Sequence, residues 1–295
     1  MSGVRSCVLL AAGMSSLLTS AAIAGMSVAT STTGAAGAVS ATTSVDTVAS
    51  QPRDESNESI DGLIDELVDI GGGRELHLRC EGSGSPTVVL EAGDESGMED
   101  WSGVAPAIAE ETRTCAYDRL GTGTSSPAEG CRQLDDLLDD LDALLLAKEV
   151  PGPYVFVGAS GGGYLAVGMA ERHVDELAGI VLAETPQAIP AEIAAEIEDE
   201  IACDAPTNVE RRDYAAVEHA VWDDRRLIAN VPVRIISDTS DESEPGNAEI
   251  QEGWLVLSPQ ASQVIVSGGH DVPINEPEVV IAAIFEVINL TRESN

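Results

Sequence analysis

Between residues 87 and 290 short apolar runs alternate with longer stretches in which apolar residues recur every three or four positions. Thr87–Ala92, Thr114–Asp118, Tyr154–Val157, Gly179–Ala183, Val231–Ile236 and Gln263–Val266 are short runs with the character of buried strands. Leu134, Leu137, Leu138, Leu141, Leu144 and Leu145 mark one face of an amphipathic helix from Leu134 to Ala147, which Pro151-Gly152-Pro153 ends. Trp101–Glu111, Tyr164–Ala170 and Pro277–Leu290 are further helices. Before this region, Glu75–Cys80 alternates with period two, as a half-buried strand does. Strand and helix in alternation predict an α/β fold: a mostly parallel central sheet with helices on both faces. Residues 187–230 break the rhythm with acidic, helical sequence, and they predict a cap inserted between two strands.

The first 59 residues differ from the rest of the chain. In residues 1–50 only Arg5 and Asp46 are charged; apolar runs follow Arg5, and Ala22-Ile23-Ala24 offers an A-x-A cleavage site. This pattern predicts a signal peptide over residues 1–26 and a secreted, cell-surface or periplasmic protein. Ser, Thr and Gly interrupt the run too often for a membrane span of about 20 apolar residues. Residues 27–59, rich in Ser, Thr, Ala and Gly and then polar, predict a flexible linker, which leaves residues 60–295 as the folded domain.

Charge narrows the partners. The 295-residue chain has 51 acidic and 15 basic residues, a net charge of −36, and Lys148 is its single lysine. So negative a chain repels nucleic acid and anionic lipid. Beyond the first 50 residues the acids are spread along the chain and not gathered in a tail, which suits adaptation to concentrated salt. Of the five cysteines, Cys7 lies in the leader. Cys131 and Cys203 fall in loop-like sequence and are the expected disulfide, whereas Cys80 and Cys115 sit in apolar strands and are expected to be buried thiols. No C-x-x-C or His-rich metal spacing is present, and no metal or cofactor is expected.

Gly158-Ala159-Ser160-Gly161-Gly162 follows the strand Tyr154–Val157 directly and precedes a helix, the one context in which G-x-S-x-G marks a nucleophile. A serine hydroxyl needs a base. Of four histidines, His77 lies in an early strand, His173 at the end of the helix after the serine and His219 in the cap. His270, in the loop Ser267–Asp271 after the last strand, is placed to reach the serine.

These segments, with LEAG at 90–93, YDRLGTGTS at 117–125 and GGHDVP at 268–273, resemble the α/β-hydrolase superfamily with its chain order of serine, acid and histidine. The resemblance implies a serine-nucleophile esterase or lipase-like protein, monomeric, with a short helical cap and a small-molecule ester as substrate. For the acid it implies Asp241, when Val231–Ile236 is laid on the family's strand. Asp238 is close by, and Glu184 holds the place used by members whose acid follows the preceding strand. It also implies an oxyanion hole from the N–H groups of Gly161 and Asp94. Asp94 stands where members usually have a neutral residue, so its side chain is expected to face solvent; Glu91 stands near a common histidine position. Amidase, thioesterase and perhydrolase activities use the same residue set, and a non-catalytic binding protein on the same scaffold is the reading of another class.

Overall fold

A computed structural model of the protein describes residues 63–239 and 246–294, all within one unit, Ser59–Asn295. The expected leader (1–26) and linker (27–59), and with them Asp241, lie outside the described residues. The strands are β1 (Ile64–Asp69), β2 (Glu75–Glu81), β3 (Thr87–Glu91), β4 (Thr114–Tyr117), β5 (Tyr154–Ala159), β6 (Leu177–Ala183), β7 (Pro232–Asp238) and β8 (Gln260–Val266). They form one sheet in the order β1-β2-β4-β3-β5-β6-β7-β8. β1 and β2 pair antiparallel, β2 lies antiparallel to β4, and every pairing from β4 to β8 is parallel.

The helices are α1 (Ala105–Ala109), α2 (Leu134–Ala147), α3 (Gly162–Arg172), α4 (Ala191–Glu196), α5 (Glu198–Ile201), α6 (Tyr214–Trp222), α7 (Asn247–Gln251), α8 (Val272–Asn275) and α9 (Pro277–Ser294). One apolar cluster gathers α2, α3 and α6 against one face of the sheet, and a second gathers α1 and α9 against the other. Every residue of β5 and β6 is therefore buried. This explains why those strands read as continuous apolar runs while β2, covered on one face, alternates. Leu137, Leu138, Leu141, Leu144 and Leu145 of α2 are buried as their spacing predicts, Leu134 is half-buried, and Gln133 and Asp136 close a capping box at the helix start.

The chain between β6 and β7 holds three short helices, α4, α5 and α6, and α6 lies against α3. The non-helical stretch before α6 is tied down twice. Cys203 is bridged to Cys131, and Arg212 forms a parallel β-bridge with Arg132. The expectation for the other two cysteines is corrected: Cys80 and Cys115 are also bridged. Antiparallel pairing of β2 with β4 sets Cys80 directly opposite Cys115, with Cα atoms 4.0 Å apart. In the chain β3 separates these strands, and in the sheet they are neighbours.

Candidate active site

Ser160 occupies the corner between β5 and α3 with φ of 48°. A non-glycine residue rarely adopts this conformation, which lifts the hydroxyl out of the strand. The corner is held by the Ser160 N–H donating to Ala183 O at 2.8 Å and by the Gly163 N–H donating to Ser160 O at 3.0 Å. It tolerates little bulk. A Cβ on Gly158 would stand 2.5 Å from the Cα of Gly163, so only glycine lets strand and helix close this tightly.

His270 follows β8 in a loop, and its Nε2 lies 2.8 Å from Ser160 Oγ. Sheet order places β8 three positions from β5, so the loop must return over β6 and β7 to deliver this ring. Asp238, at the end of β7, fixes the loop from beneath: its Oδ1 accepts the Gly269 N–H at 3.0 Å. The other three histidines are engaged elsewhere, His77 with Asp65, His173 with Asp142 and His219 with Asp223.

Glu184 follows β6 with φ of 51° and is buried. Its Oε2 stands 3.8 Å from His270 Nδ1. The same carboxylate accepts the Asp238 N–H on Oε1, and on Oε2 it accepts Asn247 Nδ2 at 3.0 Å and Gln251 Nε2 at 3.3 Å. The three carboxylate positions thus separate: Glu184 faces the far side of the imidazole, Asp238 supports the histidine loop, and Asp241 lies outside the described residues.

The turn after β3 lies against the serine, since a Cβ on Gly93 would stand 3.5 Å from Ser160 Cβ. Among the hydrogen bonds of the described residues none is donated by the Asp94 or Gly161 backbone N–H. The expected solvent-facing side chain of Asp94 is corrected. Its carboxylate lies over Gly161, where a Cβ would meet both oxygens at 2.1 Å, and it pairs with Nη1 of the fully buried Arg212. Burial pushes the Asp94 carboxyl above its ordinary range, and Arg212 pulls against that shift.

Several known proteins share this arrangement of elements. The family model described as alpha/beta hydrolase fold matches residues 86–202. The chain has the α/β-hydrolase fold. Among relatives by sequence, the uncharacterized protein YqjL of Bacillus subtilis is 24% identical over 216 residues, which is 70% of this chain and 85% of YqjL. A malate-bound thermophilic esterase from Thermogutta terrifontis superposes with a TM-score of 0.62 at 21% identity, covering 78% of this chain and 98% of the esterase. The enol-lactonase from Burkholderia xenovorans LB400 gives a TM-score of 0.59 at 19% identity, covering 75% and 99%.

The protein carries a second group of buried charges that no sequence pattern singled out. Arg119, within the YDRLGTGTS segment, donates to Ala92 O at 2.8 Å and Gly93 O at 2.5 Å. It also pairs with Glu210 at 2.7 Å and with Glu91 at 3.5 Å. Burial opposes the Arg119 charge, but Glu210 outweighs it and holds the guanidinium protonated well above its ordinary range. Burial likewise pushes Glu210 up, and Arg119 brings it below its usual value. Glu91 stays raised by burial, with Arg119 and the Tyr117 hydroxyl (2.8 Å) partly offsetting this. The arginine of the YDRLGTGTS segment was visible in the sequence, whereas nothing local marks Glu210 and Arg212 among so many charged residues. Among the described residues no group of three or more His, Cys, Asp or Glu side chains could hold a metal ion.

Proposed function

We propose that the protein is an exported serine hydrolase that cleaves carboxylic esters through an acyl-enzyme on Ser160. The observation that carries this reading is the 2.8 Å approach of His270 Nε2 to a strained, partly exposed serine hydroxyl. In this reaction His270 takes the Ser160 proton as Oγ attacks the acyl carbon. The N–H groups of Asp94 and Gly161 receive the developing oxyanion at the start of α3, where the helix N-terminus favours negative charge. His270 then passes the proton to the leaving alcohol, and a water activated by the same ring releases the acid. A carboxylate on the Nδ1 side, Glu184 or Asp241, keeps the ring in the tautomer that can accept the serine proton.

The fold neighbours named esterase and enol-lactonase support an ester as substrate. The leader-like sequence at the N-terminus and two disulfides support export to an oxidising compartment. The net charge of −36 supports work in concentrated salt.

Labelling with a fluorophosphonate probe, peptide mapping and a panel of p-nitrophenyl esters test the reading together. The label is expected on Ser160, and Ser160→Ala and His270→Ala should each lower ester turnover by at least about 10³-fold without unfolding the protein. The double variant should be no worse than either, because the two side chains act as a unit. Turnover by purified Ser160→Ala comparable to the parent rules the mechanism out.

A further inference from the structure

The serine, the histidine and the two backbone donors leave one feature unexplained: a carboxylate beside the oxyanion position. Asp94 lends its N–H to the hole and, through its side chain, sets a negative group over Gly161, the other donor. Left bare, that charge would oppose the oxyanion that the two N–H groups are placed to receive.

The inserted segment before α6 answers this charge. Arg212 is completely buried, its Nη1 bonds the Asp94 carboxylate and its Nη2 donates to Gly161 O at 3.2 Å. One guanidinium therefore holds the side chain of one oxyanion donor and the carbonyl of the other. The flanking residues are secured in the same way. Arg119 binds Gly93 O, and Glu210 Oε1 accepts the Glu95 N–H at 2.6 Å, so consecutive residues of the turn are each fixed by a buried charge.

The position of Arg212 is itself strongly determined. Asn208 accepts the Arg212 N–H on Oδ1 at 3.1 Å and donates to Arg212 O at 2.7 Å. Arg132 accepts from Asp213 N at 2.9 Å and donates to Arg211 O at 2.8 Å, and Cys131, the residue before it, is bridged to Cys203. The Arg212 guanidinium also lies 5.5 Å from the centre of the Tyr214 ring.

We propose that Arg212 is a positioning residue for the oxyanion hole: it neutralises the Asp94 carboxylate and sets the spacing of the Asp94 and Gly161 donors. The proposal rests on the serine-hydrolase reading. It says that the insertion contributes to the chemical step as well as covering the site. Arg212 acts through Asp94 and Gly161, so its removal should lower kcat and leave KM nearly unchanged.

The decisive comparison is a double-mutant cycle on the full chain, with p-nitrophenyl acetate turnover and fluorophosphonate inactivation rate as parallel readouts. Arg212→Met should lower kcat by about 10²-fold, the scale seen when one oxyanion donor is lost, with KM within about threefold of the parent. Asp94→Asn removes the charge that Arg212 answers, so adding it to Arg212→Met should restore at least about tenfold. Rescue by a second substitution is not expected from an arginine that only stabilises the fold. A double variant no faster than Arg212→Met, or a loss confined to KM, overturns the proposal. If Arg212→Met does not fold, Arg212→Lys carries the test: the retained charge should keep kcat within about tenfold, and a loss of about 10²-fold or more at unchanged KM overturns it. A parent that reacts with the phosphonate and turns over no ester defeats the ester reading alone, and the cycle then runs on inactivation rates.

Discussion

His270 Nε2 and Ser160 Oγ lie 2.8 Å apart although 110 residues separate them in the chain. Each sits at the C-terminal end of a parallel strand, Ser160 directly after β5 and His270 in the loop after β8. In an open parallel sheet these ends form one rim, so residues distant in sequence converge there. In the proposed mechanism the carboxylate partner of His270 comes from the same rim, and Glu184, after β6, and Asp241, after β7 in the chain, are its candidates.

Glu184→Gln and Asp241→Asn should separate those two origins. The side chain that holds the His270 tautomer should cost on the order of 10⁴-fold in kcat when made neutral, and the other should cost far less. Both variants are compared with the parent by kcat at saturating ester. If each stays within about tenfold of the parent, neither carboxylate has the role, and Asp238→Asn becomes the next comparison.

The two disulfides should matter differently. Their closures span 72 residues (Cys131–Cys203) and 35 residues (Cys80–Cys115), and in the loop-closure account each contributes about 4 kcal/mol. Replacing either pair by serine should therefore lower the melting temperature to a similar extent. Only the Cys131/Cys203 replacement should also lower kcat, because that bridge anchors the segment carrying Arg212. Equal kcat losses from the two replacements, measured well below the melting transitions, would contradict this assignment.

Glu218, on α6, makes stability depend on pH. Burial pushes its carboxyl up to about 7; the Ile189 N–H and Arg212 pull it down, and Asp94 pushes it up further. In the unfolded chain the group returns to its ordinary value of 4.5, so between these values the folded protein holds the proton more firmly. Stability from this group is full below about 4.5 and declines as pH rises to about 7, by about 3 kcal/mol. Glu218→Gln should remove that decline. Urea midpoints at pH 5 and pH 8 give the check: the parent should lose more stability than the variant between the two, and parallel losses would show that Glu218 stays ionised in the fold.

Salt should stabilise the protein. At 0.01 M ionic strength charges interact over about 30 Å, comparable with the domain, and at 1 M over about 3 Å. With a net charge of −36, screening relieves far more repulsion in the folded chain than in the expanded one. The melting temperature should climb steeply between 0.05 M and 2 M salt and follow NaCl and KCl alike. A flat profile in both salts would separate the acidic composition from salt adaptation and leave the active-site reading untouched.

The sequence by itself determined the alternation of strands and helices, the placing of Ser160 at a strand-to-helix corner and of His270 beyond the last strand, and the bridge between Cys131 and Cys203. These follow from short-range rules: the period of apolar residues, the steric needs of a tight glycine-flanked turn, and cysteines in loop-like sequence. Only the tertiary structure decided that Cys80 is bridged to Cys115, because that depends on β4 and not β3 lying beside β2, in a register that sets the two cysteines opposite one another. It likewise decided that Asp94 turns inward. The sequence shows an acid at the proposed oxyanion position and suggests solvent as its refuge. The fold brings in Arg212, 118 residues away, and a buried countercharge makes the inward position stable. Periodicity and turn chemistry act over a few residues and can be read along the chain, whereas strand order and charge pairing act across space and exist only once the sheet has formed.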